Sequence, residues 1–148
     1  MHIVAPQDDC DPQWLAFRLA LWPDCSEAEH LRGMSDASVR CHYVRLAVTD
    51  DGMPLGFVEA SKRVDYVNGT NTSPVAFIEG LYVAAESRRR GVARALIDSV
   101  SQWAAREGCR ELASDSLIDN TAAHAAHCAL GFAETERVVY FCKALHDA

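Results

Sequence analysis

No stretch of this chain is apolar over the ~20 residues that a membrane-spanning helix needs. The N-terminal residues, MHIVAPQDDCD, lack a basic region followed by an apolar core, so we expect no signal peptide, no membrane partner and a cytoplasmic protein. Repeats, linkers and low-complexity segments are also missing. With 148 residues the chain has the length of one domain and enough material for a substantial core. We therefore expect a single domain over residues 1–148.

The cysteines form no recognisable metal-binding or redox motif, because no two of them stand at C-x-x-C spacing. Since no export signal is expected, we predict reduced thiols that mostly serve as packing residues. A zinc site is not expected, no bound metal is predicted, and no cysteine stands out as a nucleophile. The cysteines are Cys10, Cys25, Cys41, Cys109, Cys128 and Cys142.

Basic character is missing as well, because the formal net charge at pH 7 is −7. A general nucleic-acid binder is usually basic, so that partner is disfavoured. The charge is polarised along the chain. Arginines gather at 88–90, and this arrangement beside an acidic second half suits an anionic cofactor and a cationic substrate. Most of the acids also fit a merely solvated surface. The recurring acids are Asp65, Glu79, Asp115, Asp119, Glu134 and Glu136.

The most informative stretch follows Pro74 and reads VAFIEGLYVAAESRRRGVARALI. Val75–Val83 is apolar on both alternating faces, which is typical of a central strand buried on both sides. Glu79 is the one carboxylate within it. From Gly91 onward the apolar spacing becomes helical, with Val92, Leu96, Val100 and Trp103 on one side. For the strand, we assign Val75, Phe77, Leu81 and Val83 to one face and Ala76, Ile78 and Tyr82 to the other.

The junction of this strand and helix predicts an anion site. The small Gly91 and Ala93 at the first helical turn let a ligand approach the backbone. The first amides of a helix have no internal partner, and the helix dipole adds positive charge there. Arginine side chains add fork-shaped donors, so a pyrophosphate is the natural ligand. A solvated basic turn or a nucleic-acid patch stays open as an alternative. Neither a Walker loop nor a dinucleotide fingerprint fits, because Gly-Lys-Ser/Thr and the second glycine of G-x-G are absent.

The remaining patterns predict a mixed α/β layer fold in the order β-α-α-β-β-β-α-β-α-β. Asp11 caps a helix with Pro12 at its first position, and Ser26-x-x-Glu29 is a capping box for the next helix. Asp119 or Asn120 caps a later helix that ends at Gly131. A hairpin turn is predicted at Asp50-Asp51-Gly52, and a polar loop at Tyr66–Pro74. The other predicted strands are Ile3–Ala5, Cys41–Val48, Leu55–Ala60, Glu111–Ser114 and Arg137–Cys142.

Two local motifs resemble those of a known family. R-x-x-G-x-A, formed by Arg88, Gly91 and Ala93, resembles the acetyl-CoA signature of the GCN5-related N-acetyltransferases (GNAT). Leu130-Gly131-Phe132, shortly after Asn120, resembles that family's second signature. The wider sequence is similar to the aminoglycoside 6′-N-acetyltransferases over nearly the whole chain. The segments that carry this similarity are Leu21-Trp22-Pro23, 65–69, Ser73-Pro74, Glu79-Gly80, 113–115 and 134–137.

The resemblance implies the GNAT fold, a mixed and mostly antiparallel sheet flanked by helices and splayed between the fourth and fifth strands. It implies acetyl transfer from acetyl-CoA to the 6′-amine of aminoglycoside antibiotics, by direct attack of the amine in a ternary complex. This acetylation would confer resistance to the antibiotics. It also suggests a homodimer. Two alternatives stay open: a GNAT enzyme for another small cationic amine or a peptide N-terminus, and a non-catalytic CoA-binding module.

The resemblance also implies roles for individual residues. Asp115 and Glu79 would position and deprotonate the amine, because an ammonium group cannot attack a thioester. For a carboxylate in a buried strand, a salt bridge with Arg110 or Arg137 is the structural alternative. The predicted substrate-binding residues are Trp22, Tyr66, Glu79, Asp115 and Glu136. An alternative role for Trp22 is a core anchor between two helices. The alternative for Tyr66 is an ordinary surface tyrosine.

The predicted cofactor-binding residues comprise the end of the central strand, the anion turn and a later helix cap. The strand backbone would hold the pantetheine arm. The amides of the turn would hold the pyrophosphate, and Asn120 would bind the pantetheine end. Many relatives carry a tyrosine as general acid four residues before the second-signature glycine, where this chain has His127, which could donate a proton or only pack. The cofactor-binding residues are Leu81, Tyr82, Val83, Arg88, Arg89, Arg90, Gly91, Val92, Ala93, Arg94 and Asn120.

Overall fold

The structure, a computed structural model, describes residues 1–39 and 42–145. Two compact units are distinguished, Met1–Asp115 and Ser116–Ala148. None of the described helices is long and apolar enough to cross a membrane. The elements of the first unit are β1 (His2–Val4), α1 (Pro12–Leu21), α2 (Glu27–Val39), β2 (Tyr43–Val48), β3 (Pro54–Arg63), β4 (Val75–Val83), a 3₁₀ turn (Ala85–Ser87), α3 (Val92–Arg106) and β5 (Leu112–Ala113). The second unit contains α4 (Thr121–Ala129).

The described strands form one sheet in the order β1-β2-β3-β4-β5. Neighbours are antiparallel except β4 and β5, which run parallel. These two strands pair only at Ala76 with Leu112 and at Phe77 with Ala113. Beyond Phe77, β4 continues without β5 beside it. This early separation is the splay that the GNAT resemblance implied.

A one-residue bulge at Glu79 divides β4 into two halves. Glu59 of β3 pairs with Gly80, but the next residue, Ala60, pairs with Ile78, so the register skips Glu79. Side chains alternate along a strand, and an extra residue therefore moves every later side chain to the opposite face.

The bulge overturns our assignment of the strand faces. Tyr82 packs against Phe17 of α1, whereas Ala76 packs against Ala104 of α3 on the other face. Tyr82 therefore does not share a face with Ala76, because strict alternation cannot anticipate a bulge. Leu81 and Val83 likewise leave the face of Val75 and Phe77.

The core lies on both faces of the sheet. On one face, Trp14 and Phe17 of α1 and Met34 of α2 are buried together with Leu46 and Phe57 of the sheet. The Phe17 and Phe57 rings stack with centroids 5.9 Å apart. On the other face α3 contacts β2, β3 and β4. Its predicted apolar stripe is confirmed, because the side chains on it are buried or stack on the sheet. They are Val92, Leu96, Val100 and Trp103.

The predicted helix signals are confirmed by their hydrogen bonds. Asp11 accepts from the amides of Gln13 and Trp14 as the N-cap of α1. The Ser26 Oγ accepts from the Glu29 amide at 3.1 Å, and Glu29 Oε1 accepts from the Ser26 amide at 3.0 Å. These bonds lower the pKa of Glu29 below its usual value, first through the Ser26 amide.

Within the second unit, α4 begins after the N-cap Asn120, and Gly131 beyond its end has a φ of +96°. The prediction of a strand at Arg137–Cys142 is wrong for the described structure, in which these residues pair with no strand. Consecutive β-branched and aromatic residues give this segment strand propensity, but a strand forms only where a partner supplies its hydrogen bonds. Cys41, predicted to begin β2, lies outside the described residues.

Candidate active site

The turn between β4 and α3 has the backbone geometry of an anion site. Arg89 and Gly91 both adopt positive φ, 62° and 83°. Gly91 is the N-cap of α3, a helix of 15 residues. A Cβ built on Gly91 would meet no described atom within 4 Å, so the space beside the turn is open. The amides and positive dipole end of α3 face this region, which suits a bound anion.

The three arginines of this turn are exposed but not equivalent. Arg88 donates from Nε to the carbonyl of Val83 at 2.9 Å. Its guanidinium carbon lies 5.5 Å from the centroid of the Tyr82 ring. Arg88 therefore ties the turn to the end of β4, and Arg89 and Arg90 are exposed charges beside the start of the helix.

Glu79 lies on β4, and Asp115 lies two residues beyond the end of the neighbouring parallel strand β5. Phe77 is the last β4 residue that pairs with β5, and its partner is Ala113. Glu79 and Asp115 each follow that pair by two residues, in the same chain direction. Asp115 is exposed and Glu79 is partly exposed. The fold thus brings both predicted catalytic carboxylates to the region where the two strands separate.

Glu79 is ion-paired, as in the structural alternative, but its partner is Arg63 and not the Arg110 or Arg137 that the alternative named. Arg63 Nη2 donates to Glu79 Oε1 at 2.7 Å and to Oε2 at 2.9 Å. Ser61 Oγ donates to Oε1 at 3.1 Å. The Glu79 side chain keeps 27% of its surface exposed, so the pair lies at the border between sheet and solvent.

Trp22 lies in the turn between α1 and α2, as predicted, and serves as part of the core. Its ring meets Phe57 edge-on at 6.4 Å and stacks with His30 at 6.2 Å. The ring also lies against Gly80, the neighbour of Glu79, since a Cβ on Gly80 would fall 2.6 Å from Trp22 Cη2. Trp22 stays half-buried. The core-anchor alternative therefore holds, and the partly exposed ring borders Glu79.

A buried polar network that the sequence analysis missed supports this tryptophan. Glu59 is 4% exposed and accepts from Trp14 Nε1 at 2.8 Å. Arg18 pairs with Glu59 at 2.5 Å and donates from Nε to His30 Nδ1 at 3.2 Å. Because Nδ1 accepts, the His30 proton is assigned to Nε2, which donates to the Trp22 carbonyl at 3.0 Å. A charged residue inside an apolar helix, Arg18, was the signal available in the sequence.

The loop between β3 and β4 carries Tyr66, which is 73% exposed. Val67 of the same loop packs against the sheet. Glu111, just before β5, accepts from Thr72 Oγ1 at 2.5 Å and from the Asn71 amide at 2.9 Å. These bonds lower the pKa of Glu111 from its ordinary 4.5, the Thr72 hydroxyl contributing most. The loop is thus anchored at two points, and Tyr66 is presented to solvent between β3 and the Glu111 anchor.

In the second unit, the predicted site residues make local contacts. Asn120 Oδ1 accepts from the Ala123 amide at 3.1 Å, which is the capping bond of α4. His127 Nδ1 donates to the Ala123 carbonyl at 2.7 Å, and its ring meets Phe132 edge-on at 5.3 Å. These contacts favour the packing interpretation of His127. Glu136 is exposed.

The cysteines depart from the prediction that most of them pack in the core. Of the described ones, Cys109 is buried, and Cys10, Cys25, Cys128 and Cys142 are exposed. Burial raises the pKa of the Cys109 thiol. A hydrogen bond to the Asp9 carboxylate raises the pKa of the Cys10 thiol. Both shifts reduce the thiolate fraction, and with it the nucleophilicity of these two residues.

Comparison with known proteins agrees with this geometry. Residues 8–132 match the model of the acetyltransferase (GNAT) family. An aminoglycoside N(6′)-acetyltransferase type 1 from Acinetobacter baumannii is 48% identical over 97% of this chain and 98% of its own length.

Two solved structures are similar in fold as well as in sequence. The aminoglycoside antibiotic 6′-N-acetyltransferase AAC(6′)-IG from Acinetobacter haemolyticus, in its apo form, has a TM-score of 0.92 and 44% identity, covering 99% of this chain and 100% of its own. AAC(6′)-Iy in complex with the bisubstrate analogue CoA-S-monomethyl-acetylneamine has a TM-score of 0.89 and 39% identity. It covers 98% of this chain and 100% of its own.

Proposed function

We propose that this chain, which belongs to the acetyltransferase (GNAT) family, transfers the acetyl group of acetyl-CoA to the 6′-amine of aminoglycoside antibiotics. Resistance to these antibiotics is the proposed consequence. The observation that carries the proposal is that Glu79 and Asp115 each follow the last β4–β5 pair, Phe77 with Ala113, by two residues. Two carboxylates there suit a substrate with several ammonium groups, and the anion turn follows β4 directly.

The residues present fit acetyl-CoA. The open turn at Gly91 and the amides of residues 89–94 are proposed to hold the pyrophosphate. The backbone of Leu81–Val83 lies on the part of β4 without β5 beside it, and it is proposed to bind the extended pantetheine arm. Acetyl-CoA supplies an acetyl thioester, which is activated toward an amine. The amide group of Asn120 is proposed to bind the pantetheine end.

The carboxylates are proposed to prepare the amine. A protonated amine has no free lone pair, so a base must remove a proton before attack. Asp115 or Glu79 takes that proton, directly or through a water molecule. The nitrogen then bonds to the carbonyl carbon while the carbon–sulfur bond breaks, and the thiolate leaves. We assign no general acid, because a thiolate is a tolerable leaving group near neutral pH and the His127 contacts favour packing.

Two aromatic side chains and one further acidic side chain are proposed to bind the sugar rings. The Trp22 ring is held in place by the core but is partly exposed, and its exposed part suits stacking on a sugar. Tyr66 lies on an exposed loop that is anchored at both ends. Glu136 is proposed to bind a further ammonium group. Together with Asp115 and Glu79, these residues would favour a polycationic sugar over a simple amine.

A homodimer is also proposed. Val139, Tyr140 and Phe141 are 73%, 79% and 92% exposed, and such apolar runs on a single chain commonly mark an interaction surface. A second copy could supply the hydrogen-bonding partner that this strand-like segment lacks. Light scattering across micromolar concentrations should give the mass of a dimer, and Phe141→Ser should shift it toward monomer. A wild-type monomer throughout would contradict the proposal. The single domain, the cytoplasmic location and the absence of a nucleic-acid partner stay predictions.

The test of function is CoA release with acetyl-CoA and two otherwise matched aminoglycosides. One carries an amine at the 6′ position and the other a hydroxyl. We expect turnover with the amine alone. Equal turnover with both would move acetylation to another amine of the sugar. Tight acetyl-CoA binding without turnover on either would favour another amine substrate or a non-catalytic CoA-binding module.

A further inference from the structure

The Glu79 carboxylate already accepts hydrogen bonds from two donors of its own chain. Oε1 accepts from Arg63 and from Ser61, and Oε2 accepts from the same Arg63 nitrogen. That nitrogen spans both oxygens, at 2.7 and 2.9 Å. A substrate ammonium that approaches Glu79 therefore meets a carboxylate whose charge is already balanced by a cation.

We infer that Arg63 sets the affinity of the site for cationic substrates, because its guanidinium occupies the position at Glu79 that a substrate ammonium group would take. The inference rests on the proposed function, since it assigns Glu79 to the binding of a cationic substrate. Arg63 acts as an internal competitor that the substrate displaces.

Displacement of Arg63 from Glu79 costs little free energy. The Arg63 and Glu79 side chains are 42% and 27% exposed, and ion pairs at such sites contribute little to stability. The Arg63 guanidinium carbon also lies 3.7 Å from the centroid of the Phe77 ring. This cation–π contact gives the side chain a place to remain after it releases the carboxylate.

The competition favours substrates that carry several positive charges. A monoamine exchanges one cation at Glu79 for another and gains little. A polyamine binds Asp115 at the same time, so its added contacts compensate for the loss of the Arg63 pair. Arg63 thereby lowers the affinity for every amine that binds at Glu79 by the same factor, and only an amine with further contacts still binds tightly.

The chain offers a matched control in the neighbouring residue. Lys62 precedes Arg63 on β3, and successive strand side chains lie on opposite faces of the sheet. Lys62 pairs with Glu107 at 3.0 Å and is similarly exposed at 39%. Lys62→Met and Arg63→Met remove the same charge, but only Arg63→Met frees Glu79. Methionine also keeps an apolar stem over Phe77.

The experiment measures binding by calorimetry with neamine, a polyamine, and by competition with D-glucosamine, a monoamine. We expect Arg63→Met to bind neamine roughly fivefold more tightly, the factor that corresponds to ~1 kcal/mol for an exposed ion pair. The gain for glucosamine should be of the same factor, because binding at Glu79 displaces the same ion pair. Lys62→Met should leave both affinities unchanged, and Arg63→Met should have no effect in a Glu79→Gln background.

Unchanged or weaker neamine binding by Arg63→Met would overturn the inference, as would an equal gain in Lys62→Met or no binding by any of the proteins. A gain that persists in the Glu79→Gln background would also overturn it, because the competition would then not involve Glu79. Binding is measured without turnover, so a chain that binds neamine but releases no CoA would fail the proposed function and still decide the role of Arg63.

Discussion

The Trp22 ring rests on the backbone of Gly80, so closely that a Cβ on Gly80 would lie 2.6 Å from Cη2 and 2.8 Å from Cζ2. Gly80→Ala must therefore displace the ring that is proposed to stack on the sugar. We expect the KM for an aminoglycoside to rise by about tenfold or more, while the affinity for acetyl-CoA is unchanged. Steady-state kinetics and calorimetry check this. In a Trp22→Ala background, Gly80→Ala should add little, and a full additive loss would contradict the contact.

Asp115 is exposed at the end of β5, so its isosteric change Asp115→Asn should leave the fold intact. If Asp115 deprotonates or positions the amine, kcat/KM should fall by roughly 10²- to 10⁴-fold, because asparagine cannot accept the proton. Binding of acetyl-CoA should persist in calorimetry. Asp119→Asn is the control, since it removes the same charge from an exposed position four residues later. Normal turnover by Asp115→Asn would leave Asp115 neither base nor essential anchor.

Gly91 and Gly108 share the same φ of +83°, and a Cβ on either would meet no described atom within 4 Å. Alanine at either position therefore costs similar backbone strain, about 1 kcal/mol. Only Gly91 lies at the start of α3, where the pyrophosphate is proposed to bind. We expect Gly91→Ala to weaken acetyl-CoA binding in calorimetry and Gly91→Val to weaken it further, whereas Gly108→Ala should bind normally. Equal affinities for all three variants would move the phosphate site elsewhere.

The sequence predicted the features that depend on neighbouring residues. The Asp11 cap, the Ser26–Glu29 capping box and the start of α3 after Gly91 all rest on patterns within a few residues. Such signals are readable because the interacting groups are adjacent in the chain. The order of the elements came from the pattern and matched the family resemblance, whereas the splay came from the resemblance alone.

The missed features depend on residues that are distant in the sequence. Arg18 pairs with Glu59 across 41 positions, and Arg63 with Glu79 across 16. A periodic pattern identifies the face on which a residue lies, but it does not identify the residue opposite. The bulge at Glu79 is a property of the pairing of two strands, so it reversed faces that alternation had assigned correctly only up to Ile78.

Removing one partner of the buried Arg18–Glu59 pair should destabilise the protein strongly. Their side chains are 12% and 5% exposed. Glu59→Ala leaves Arg18 buried without its counter-charge, and we expect the free energy of unfolding to fall by about 3–5 kcal/mol. Urea unfolding measures this loss. Glu134→Ala, which breaks the exposed pair with Arg137, should cost under ~1 kcal/mol. Similar losses for both pairs would contradict the assigned burial.

Glu111 gives the loop anchor a defined pH dependence. Hydrogen bonds from Thr72 and Asn71 place its folded-state pKa below the ordinary 4.5. A depressed carboxyl pKa adds stability above the unfolded-state value, and this contribution is lost as the pH falls through the folded-state value. We expect wild type to be more stable than Glu111→Gln near neutral pH, and the difference to vanish well below pH 4.5. Urea unfolding of both proteins across this range measures the difference, in which the other carboxylates cancel. A difference that persists at the lowest pH would mean that the hydrogen bonds do not require the charged carboxylate.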